Sequence, residues 1–293
     1  MLKSTWEVLK DAYHRFYADD GFPNSGNIAY CVILAVFPFL IFLFSLTGFF
    51  VDDDMANSAV NQLIHIIPAE IIEPLEGEIK KLLTEARHDL LTISGFFTLW
   101  TASRGIESLR NALNRAYRLT ETRPVWWRVV QYFLFVIFGA AISLALAVTI
   151  AAVPTIWSAI SGAEPGTASS TDAPREVLRF VIGVTLLTTA LIAGHKFLPA
   201  RALPLRLLWP GILLTMVLWI AAGMGYSIYL ANFAHFASLY AGLGGLFAAL
   251  IFIYISAAIF QFGGEINRAM YARRNAGREM PANALGKEKS KKD

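Results

Sequence analysis

Residues 207–264 run for 58 positions without a single Asp, Glu, Lys or Arg. A second neutral run covers the 32 positions of 129–160. A helix in water keeps a polar face toward solvent, so a soluble fold cannot hide that much uncharged surface. Charged residues make up only 16% of the chain, against about 25% in soluble domains. An ordinary globular enzyme is excluded. The pattern predicts an all-α polytopic membrane protein.

A helix needs about 20 mostly apolar residues to cross a hydrocarbon core of about 30 Å. Residues 28–50 meet that requirement, with Pro38 predicting a kink. Residues 90–103 are apolar but too short alone. Their helix is expected to continue through Arg104 to about residue 109, carrying that arginine to membrane depth. Residues 129–160 exceed the need and should tilt or protrude, with a bend at Pro154. Residues 180–198 make a fourth span. The 58-residue run divides into 207–230 and 239–264, joined by a turn region at 231–238. The expected domain is a six-helix transmembrane bundle over residues 1–278. Residues 279–293 form a basic tail expected to be disordered, attracted to anionic lipid rather than to nucleic acid.

Lys and Arg fix the orientation. With six spans, 20 of the 25 basic residues fall on the side holding both termini, which places the termini in the cytoplasm. The mixed-charge N-terminus reads as no cleaved signal peptide. The outer loop between spans one and two is acidic. Its apolar residues Leu63, Ile64 and Ile67, then Ile71, Leu75, Ile79 and Leu82, keep helical spacing around Pro68. Two amphipathic helices are expected there, either a packed extracytoplasmic hairpin or a mobile substrate gate. Residues 162–174 read as a flexible loop. No internal repeat is evident, which weakens an inverted-repeat carrier.

Chemistry is expected where charge meets the neutral segments. Arg104, Glu107, Ser108, Asn111, Arg115 and Arg118 fall at three- and four-residue steps on one helical face, with Asn114 alongside. Arg104 and Glu107 can pair locally. Ionisable residues near membrane depth are functional suspects, although a wet interfacial helix gives the same pattern. The last span closes on Gln261, Gly263, Gly264, Glu265, Asn267 and Arg268, where the two glycines allow close helix approach. Glu265 needs a partner, and the arginines of the 104–118 face are on the correct side. A cluster of Arg104, Asn114, Arg115, Glu265 and Asn267 is therefore expected, either as a structural lock or as a proton or headgroup site. Tyr226, Tyr229, Phe233, Phe236 and Tyr240, with Asn232 and His235, read as an aromatic interface belt or, less simply, as a ligand pocket. Gly242, Gly244 and Gly245 follow and permit a tight crossing.

Soluble-enzyme chemistry finds little support. The five histidines are scattered without metal-ligand spacing, and neither a phosphate-binding P-loop nor a Gly-x-Ser-x-Gly elbow occurs. No catalytic residue, metal or cofactor is expected. The single cysteine, Cys31, inside an apolar run, excludes a disulfide framework and any Cys-based zinc site, and no disulfide-linked partner is expected.

The stretch Ala29-Tyr30-Cys31-Val32-Ile33-Leu34-Ala35-Val36-Phe37-Pro38 resembles the AYYxLLSLFP signature of the YihY/BrkB family of bacterial inner-membrane proteins. Leu99-Trp100-Thr101-Ala102-Ser103-Arg104 is similar to that family's LWSASR segment, and Asn114-Arg115-Ala116-Tyr117 to its N-R-A-W/Y element. Tyr240-Ala241-Gly242-Leu243-Gly244-Gly245 is close to YGSLGA, and Gly263-Gly264-Glu265-Ile266-Asn267 resembles its G-A-E-L-N ending. Cys31 stands where the second tyrosine is usual, and Gly264 where alanine is. The resemblance implies six transmembrane helices in the inner membrane with both termini inside. The family has carried a ribonuclease BN label, which these residues do not support. Its members' link to virulence, serum resistance and envelope lipid export implies a transporter or flippase of a lipid-like, anionic amphipath. The alternative is a non-transporting envelope scaffold. The implied partners are membrane lipids, with a homo-oligomer left open and no nucleic acid.

Overall fold

The computed structural model describes residues 2–47, 88–161, 172–237 and 243–274, all within or between helices. In chain order these are α1 (Leu2–Ala18), α2 (Gly21–Thr47), α3 (His88–Ala116), α4 (Val125–Ser161), α5 (Asp172–Phe197), α6 (Leu205–Ala237) and α7 (Leu243–Arg274). No strand occurs among the described residues. The acidic outer loop, the centre of the 162–174 loop, Gly242 and the basic tail lie outside them. The all-α membrane class holds. Among the described residues five helices are long and apolar enough to cross a bilayer: Gly21–Phe42, Val125–Leu146, Glu176–Phe197, Leu205–Leu230 and Gly244–Arg273. Helix α3 is not among these, because only its first half is apolar. It is nonetheless one continuous helix through Arg104.

The chain divides into two compact units, Met1–Ala29 with Ile106–Asp293, and Tyr30–Gly105. In the second unit, α2 runs through Pro38 without interruption, and a Cβ on Gly95 would sit 3.1 Å from the Phe42 ring.

The first unit is built on α7. Helix α6 packs along it, α5 packs on α6, and α4 packs on α5. Helix α1, unanticipated from sequence, also packs on α7. Val8, Ala12 and Phe16 recur every four residues and so share one face; they bury themselves against Ile266, Ala269 and Phe262. Helix α1 ends at Ala18, and the turn that follows includes Asp20, whose φ of 57° is left-handed. The chain then enters α2 at Gly21, where any Cβ would overlap the Phe16 ring. Pro23 fits this first turn because its missing N–H has no helical partner there. Helix α2 therefore starts seven residues before the expected boundary.

Helix α6 also departs from expectation. It continues through Ala237, so the turn expected at 231–238 starts no earlier than residue 238. The reason is local: residues 226–237 contain no Gly or Pro to end the helix. At its other end α6 starts at Leu205 and includes Pro210, which lies inside the expected 207–230 span. Helix α5 likewise starts at Asp172, with Pro174 in its first turn.

Candidate functional site

At one end of the first unit, the beginnings of α2, α4 and α6 meet the ends of α3, α5 and α7. The apolar floor consists of Leu113, Tyr117, Leu191, Leu198, Leu203, Leu208, Ile212 and Phe260. Buried polar groups within this region must find partners or pay a desolvation cost; three hydrogen-bonded chains satisfy most of them, while His195 Nε2 and Thr215 Oγ1 are buried without a partner among the described residues.

The first chain is ionic. Arg268 donates through Nε to Glu265 Oε2 at 3.2 Å and through Nη2 to Asp11 Oδ2 at 2.6 Å. Glu265 and Arg268 are 2% and 4% exposed, so neither charge could stay there unpaired. This corrects the expected pairing. The partner of Glu265 is Arg268, one turn along the same helix, together with α1, rather than the arginine face of α3. At Asp11 burial pushes the carboxyl upward, but the hydrogen bond and charge of Arg268, helped by Arg15, prevail and hold it below its ordinary value.

The second chain ties four elements. Gly211 N–H donates to Asn267 Oδ1 at 2.6 Å, Asn267 Nδ2 donates to Tyr117 Oη at 3.1 Å, and Tyr117 Oη lies 3.1 Å from His195 Nδ1. Tyr117 Oη thus accepts from Asn267 and shares a hydrogen bond with His195 Nδ1, whose direction the imidazole tautomer sets, while His195 Nε2 is buried without a partner among the described residues. The His195 ring stacks on Phe260 at 4.4 Å. Gly211 stands in the second turn of α6, directly after Pro210.

The third chain joins α2, α3 and α7. Asn27 Nδ2 donates to Ser108 Oγ at 2.9 Å, Ser108 Oγ to Asn24 Oδ1 at 2.7 Å, and Asn24 Nδ2 to Gln261 Oε1 at 2.7 Å. Gln261 Nε2 then donates to Ser25 Oγ at 2.8 Å, and Ser25 Oγ to Gly21 O at 2.7 Å. Each member is donor and acceptor in turn, the arrangement in which buried polar networks are satisfied. Sequence reading missed Asn24, Ser25 and Asn27. Their signal is three polar side chains within four residues, directly before an apolar span.

The adjacent glycines of α7 serve different neighbours. A Cβ on Gly263 would overlap Thr215 Oγ1 of α6 and sit 3.1 Å from Gly211 O, whereas one on Gly264 would sit 3.0 Å from Leu113 of α3.

Beyond this packed region α3 ends in an open cavity of about 570 Å³, lined by Asn111, Asn114, Arg115, Arg118, Thr120 and Glu121, with Leu119. Leu119 N–H reaches back to Asn114 O at 2.8 Å and Arg118 N–H to Arg115 O at 3.1 Å. Arg118 adopts φ of 55°, the left-handed cap usually given to glycine. That conformation costs about 1–2 kcal/mol in an L-residue, and the 3.0 Å ion pair from Arg118 to Asp19 offsets part of it. Glu121 is enclosed by Arg110 and by Arg123, whose Nε lies 2.9 Å from Oε1. Arg123 also holds Pro199 O at 2.9 Å and Gln131 Oε1 at 3.0 Å, fixing the 117–124 connection to the end of α5.

Burial alone would raise the Glu121 carboxyl, but the bonds and charge of Arg123, with Arg110 behind, hold it below its ordinary 4.5. A carboxyl lowered on folding adds stability that is present above the unfolded value and lost as pH falls through the folded one. Relative to the intrinsic rate at each pH, amide exchange of residues 117–124 should therefore be slow at pH 7 and rise as the pH falls below the ordinary carboxyl value. Glu121→Gln should show the raised exchange already at neutral pH.

The expected cluster is thus divided. Asn114, Glu265 and Asn267 are buried in hydrogen bonds, with Asn114 Oδ1 accepting from Ala200 N–H at 2.7 Å. Asn111 and Arg115 line the cavity. Arg104 is exposed and belongs to the Tyr30–Gly105 unit. Glu107 is half-buried on α3. Among the described residues no group of three or more His, Cys, Asp or Glu could hold a metal ion.

A family model described as virulence factor BrkB matches residues 12–287, and the chain belongs to that family. It is 27% identical over 277 residues to the ribonuclease-like protein YfkH of Bacillus subtilis, covering 93% of this chain and 98% of that protein. It is 25% identical over 268 residues to a UPF0761 membrane protein of Xanthomonas campestris pv. campestris, covering 89% of this chain. A UPF0761 membrane protein of Rhodospirillum centenum is 22% identical over 267 residues. This chain spans 60% of the length of the Xanthomonas protein and 57% of the Rhodospirillum one. No solved structure matches it. The chain is an integral, multi-pass membrane protein of the BrkB family.

Proposed function

We propose that the protein moves or flips a lipid-like, anionic amphipath across the bacterial inner membrane, through a domain of six spans with both termini in the cytoplasm. Helix α3 is then the sixth span, its apolar first half in the bilayer and its polar second half at the inner surface. The observation that carries this reading is an apolar cavity of about 470 Å³ among α5, α6 and α7. Phe180, Val184, Leu187, Met216, Trp219 and Phe252 line it, and all six lie inside candidate spans. Phe180, Ile220 and Phe252 are exposed along it, so it is an open apolar groove among membrane helices, suited to a hydrocarbon chain. Trp219 is held against it by an Nε1–H bond to Ser256 O at 3.1 Å. The open polar cavity at the end of α3 supplies the complementary surface for a charged headgroup. The ribonuclease-like name of the Bacillus relative is not carried over to this chain.

The three buried hydrogen-bonded chains favour the second reading, a non-transporting scaffold whose polar end is built for rigidity. Purified protein in liposomes carrying a fluorescent anionic lipid distinguishes the two. Transport predicts exchange between leaflets above that of empty vesicles. Gly183 borders the apolar cavity and has nothing within 4 Å of an added Cβ, so Gly183→Phe should lower that exchange several-fold while the protein stays folded. No exchange for any of several anionic lipids would leave the scaffold reading.

A further inference from the structure

The cavity at the end of α3 is lined by groups whose acceptor atoms are already occupied. Asn111 Oδ1 accepts from Arg110 Nη2 at 2.9 Å, and Asn114 Oδ1 accepts from Ala200 N–H. Each asparagine therefore has its NH2 group left to offer. Both oxygens of Glu121 are taken, Oε1 by Arg123 and Oε2 by Arg110 and Arg123. The carbonyls of Asn114 and Arg115 at the helix end, which would repel an anion, already accept N–H groups from Leu119 and Arg118. Arg115 is exposed into this space. Its guanidinium makes no hydrogen bond or ion pair to any described residue. Thr120 adds a hydroxyl.

Two amide NH2 groups, a hydroxyl and an unengaged guanidinium form a surface of donors that seeks a ligand made of acceptors. Guanidinium and phosphate match in geometry and form charge-assisted, often bidentate bonds. We infer that this cavity is a binding site for a phosphate group, with Arg115 as its principal contact and the amides of Asn111 and Asn114 orienting it. The inference deepens the transport reading and rests on it for the source of the phosphate, a lipid headgroup. Free inorganic phosphate carries the same chemistry.

The test uses the full chain and reads hydrogen exchange of residues 111–121. In one arm the protein sits in detergent with inorganic phosphate or with chloride at matched ionic strength. In the other it sits in nanodiscs of phosphatidylcholine alone or with added phosphatidic acid, whose phosphate monoester is unshielded. Protection by phosphatidic acid but not by the free ion supports the site as a headgroup site. Protection by both supports it as a phosphate site of either source. Arg115→Gln should weaken the binding about tenfold or more and leave the unliganded protein's thermal stability unchanged, since Arg115 holds nothing else in place. Asn111→Asp keeps the acceptor that Arg110 needs while turning a donor into a carboxylate, and it should abolish protection as well. No protection in either arm, or protection that survives both substitutions, overturns the inference. Lipid exchange in liposomes is read separately, so flux without phosphate protection removes this site and spares the transport reading. Protection without flux does the reverse.

Discussion

Gly211→Ala should destabilise the folded protein by about 3 kcal/mol or more, read as a lowered thermal midpoint in detergent. The size follows from what the new methyl group meets. A Cβ at Gly211 overlaps the Gly263 carbonyl oxygen and lies 2.6 Å from the Asn267 amide. The first of these atoms is backbone and cannot rotate away, so α6 and α7 would have to separate. Separation breaks the bond from Gly211 N–H to Asn267, and with it the support of Tyr117 and His195. The matched control is Gly139→Ala in α4, where nothing lies within 4 Å of an added Cβ. There the usual helix preference of alanine over glycine should stabilise by about 0.5–1 kcal/mol. A Gly211→Ala protein as stable as the wild type would mean that α6 and α7 do not meet this closely.

Arg268→Ala is the second large effect, expected at about 3–5 kcal/mol. One guanidinium serves two carboxylates on two helices, at 3.2 Å to Glu265 and 2.6 Å to Asp11. Removing it leaves Glu265 buried without a counter-charge and loosens α1 from α7. Arg268→Lys should rescue only in part, because a single ammonium cannot reproduce the two directed bonds of the fork. Glu265→Gln should be milder, since an amide oxygen still accepts from Nε and Asp11 still balances the arginine. Equilibrium unfolding of the three variants orders them. Equal losses for Arg268→Ala and Glu265→Gln would show that Asp11 contributes nothing.

The membrane class and the presence of the five long apolar helices were legible, because neutral runs leave little choice in a bilayer, but only α4 lies within a few residues of its expected bounds at both ends. Boundaries failed where the controlling group is local. Helix α6 outran its expected end because 226–237 contains no breaker, and α2 began early because Asp20, Gly21 and Pro23 set its first turn. Helix α1 escaped notice because its apolar residues Val8, Ala12 and Phe16 are sparse among charges, so only a docked partner makes sense of them. The site was half legible. Charges and amides near neutral runs are conspicuous, and Glu265, Asn267, Asn111, Asn114 and Arg115 were all found that way. Which of them meet is a matter of packing across more than a hundred residues of sequence. A glutamate with an arginine three positions on was read against a distant helix when its partner was one turn away.

The docking of α1 on α7 also bears on the order in which the chain can assemble. Asp11 and Arg268 are 257 positions apart in sequence, so α1 waits for α7. Until residues 261–270 emerge, the Val8, Ala12 and Phe16 face has no surface to cover it, and Asn24 lacks Gln261. Contacts of such long range are slow to form and leave intermediates exposed to wrong association. The polar end of the bundle therefore closes only once α7 has been made, in the manner of a clasp. An incomplete chain would present an open amphipathic helix to whatever removes unfinished membrane proteins.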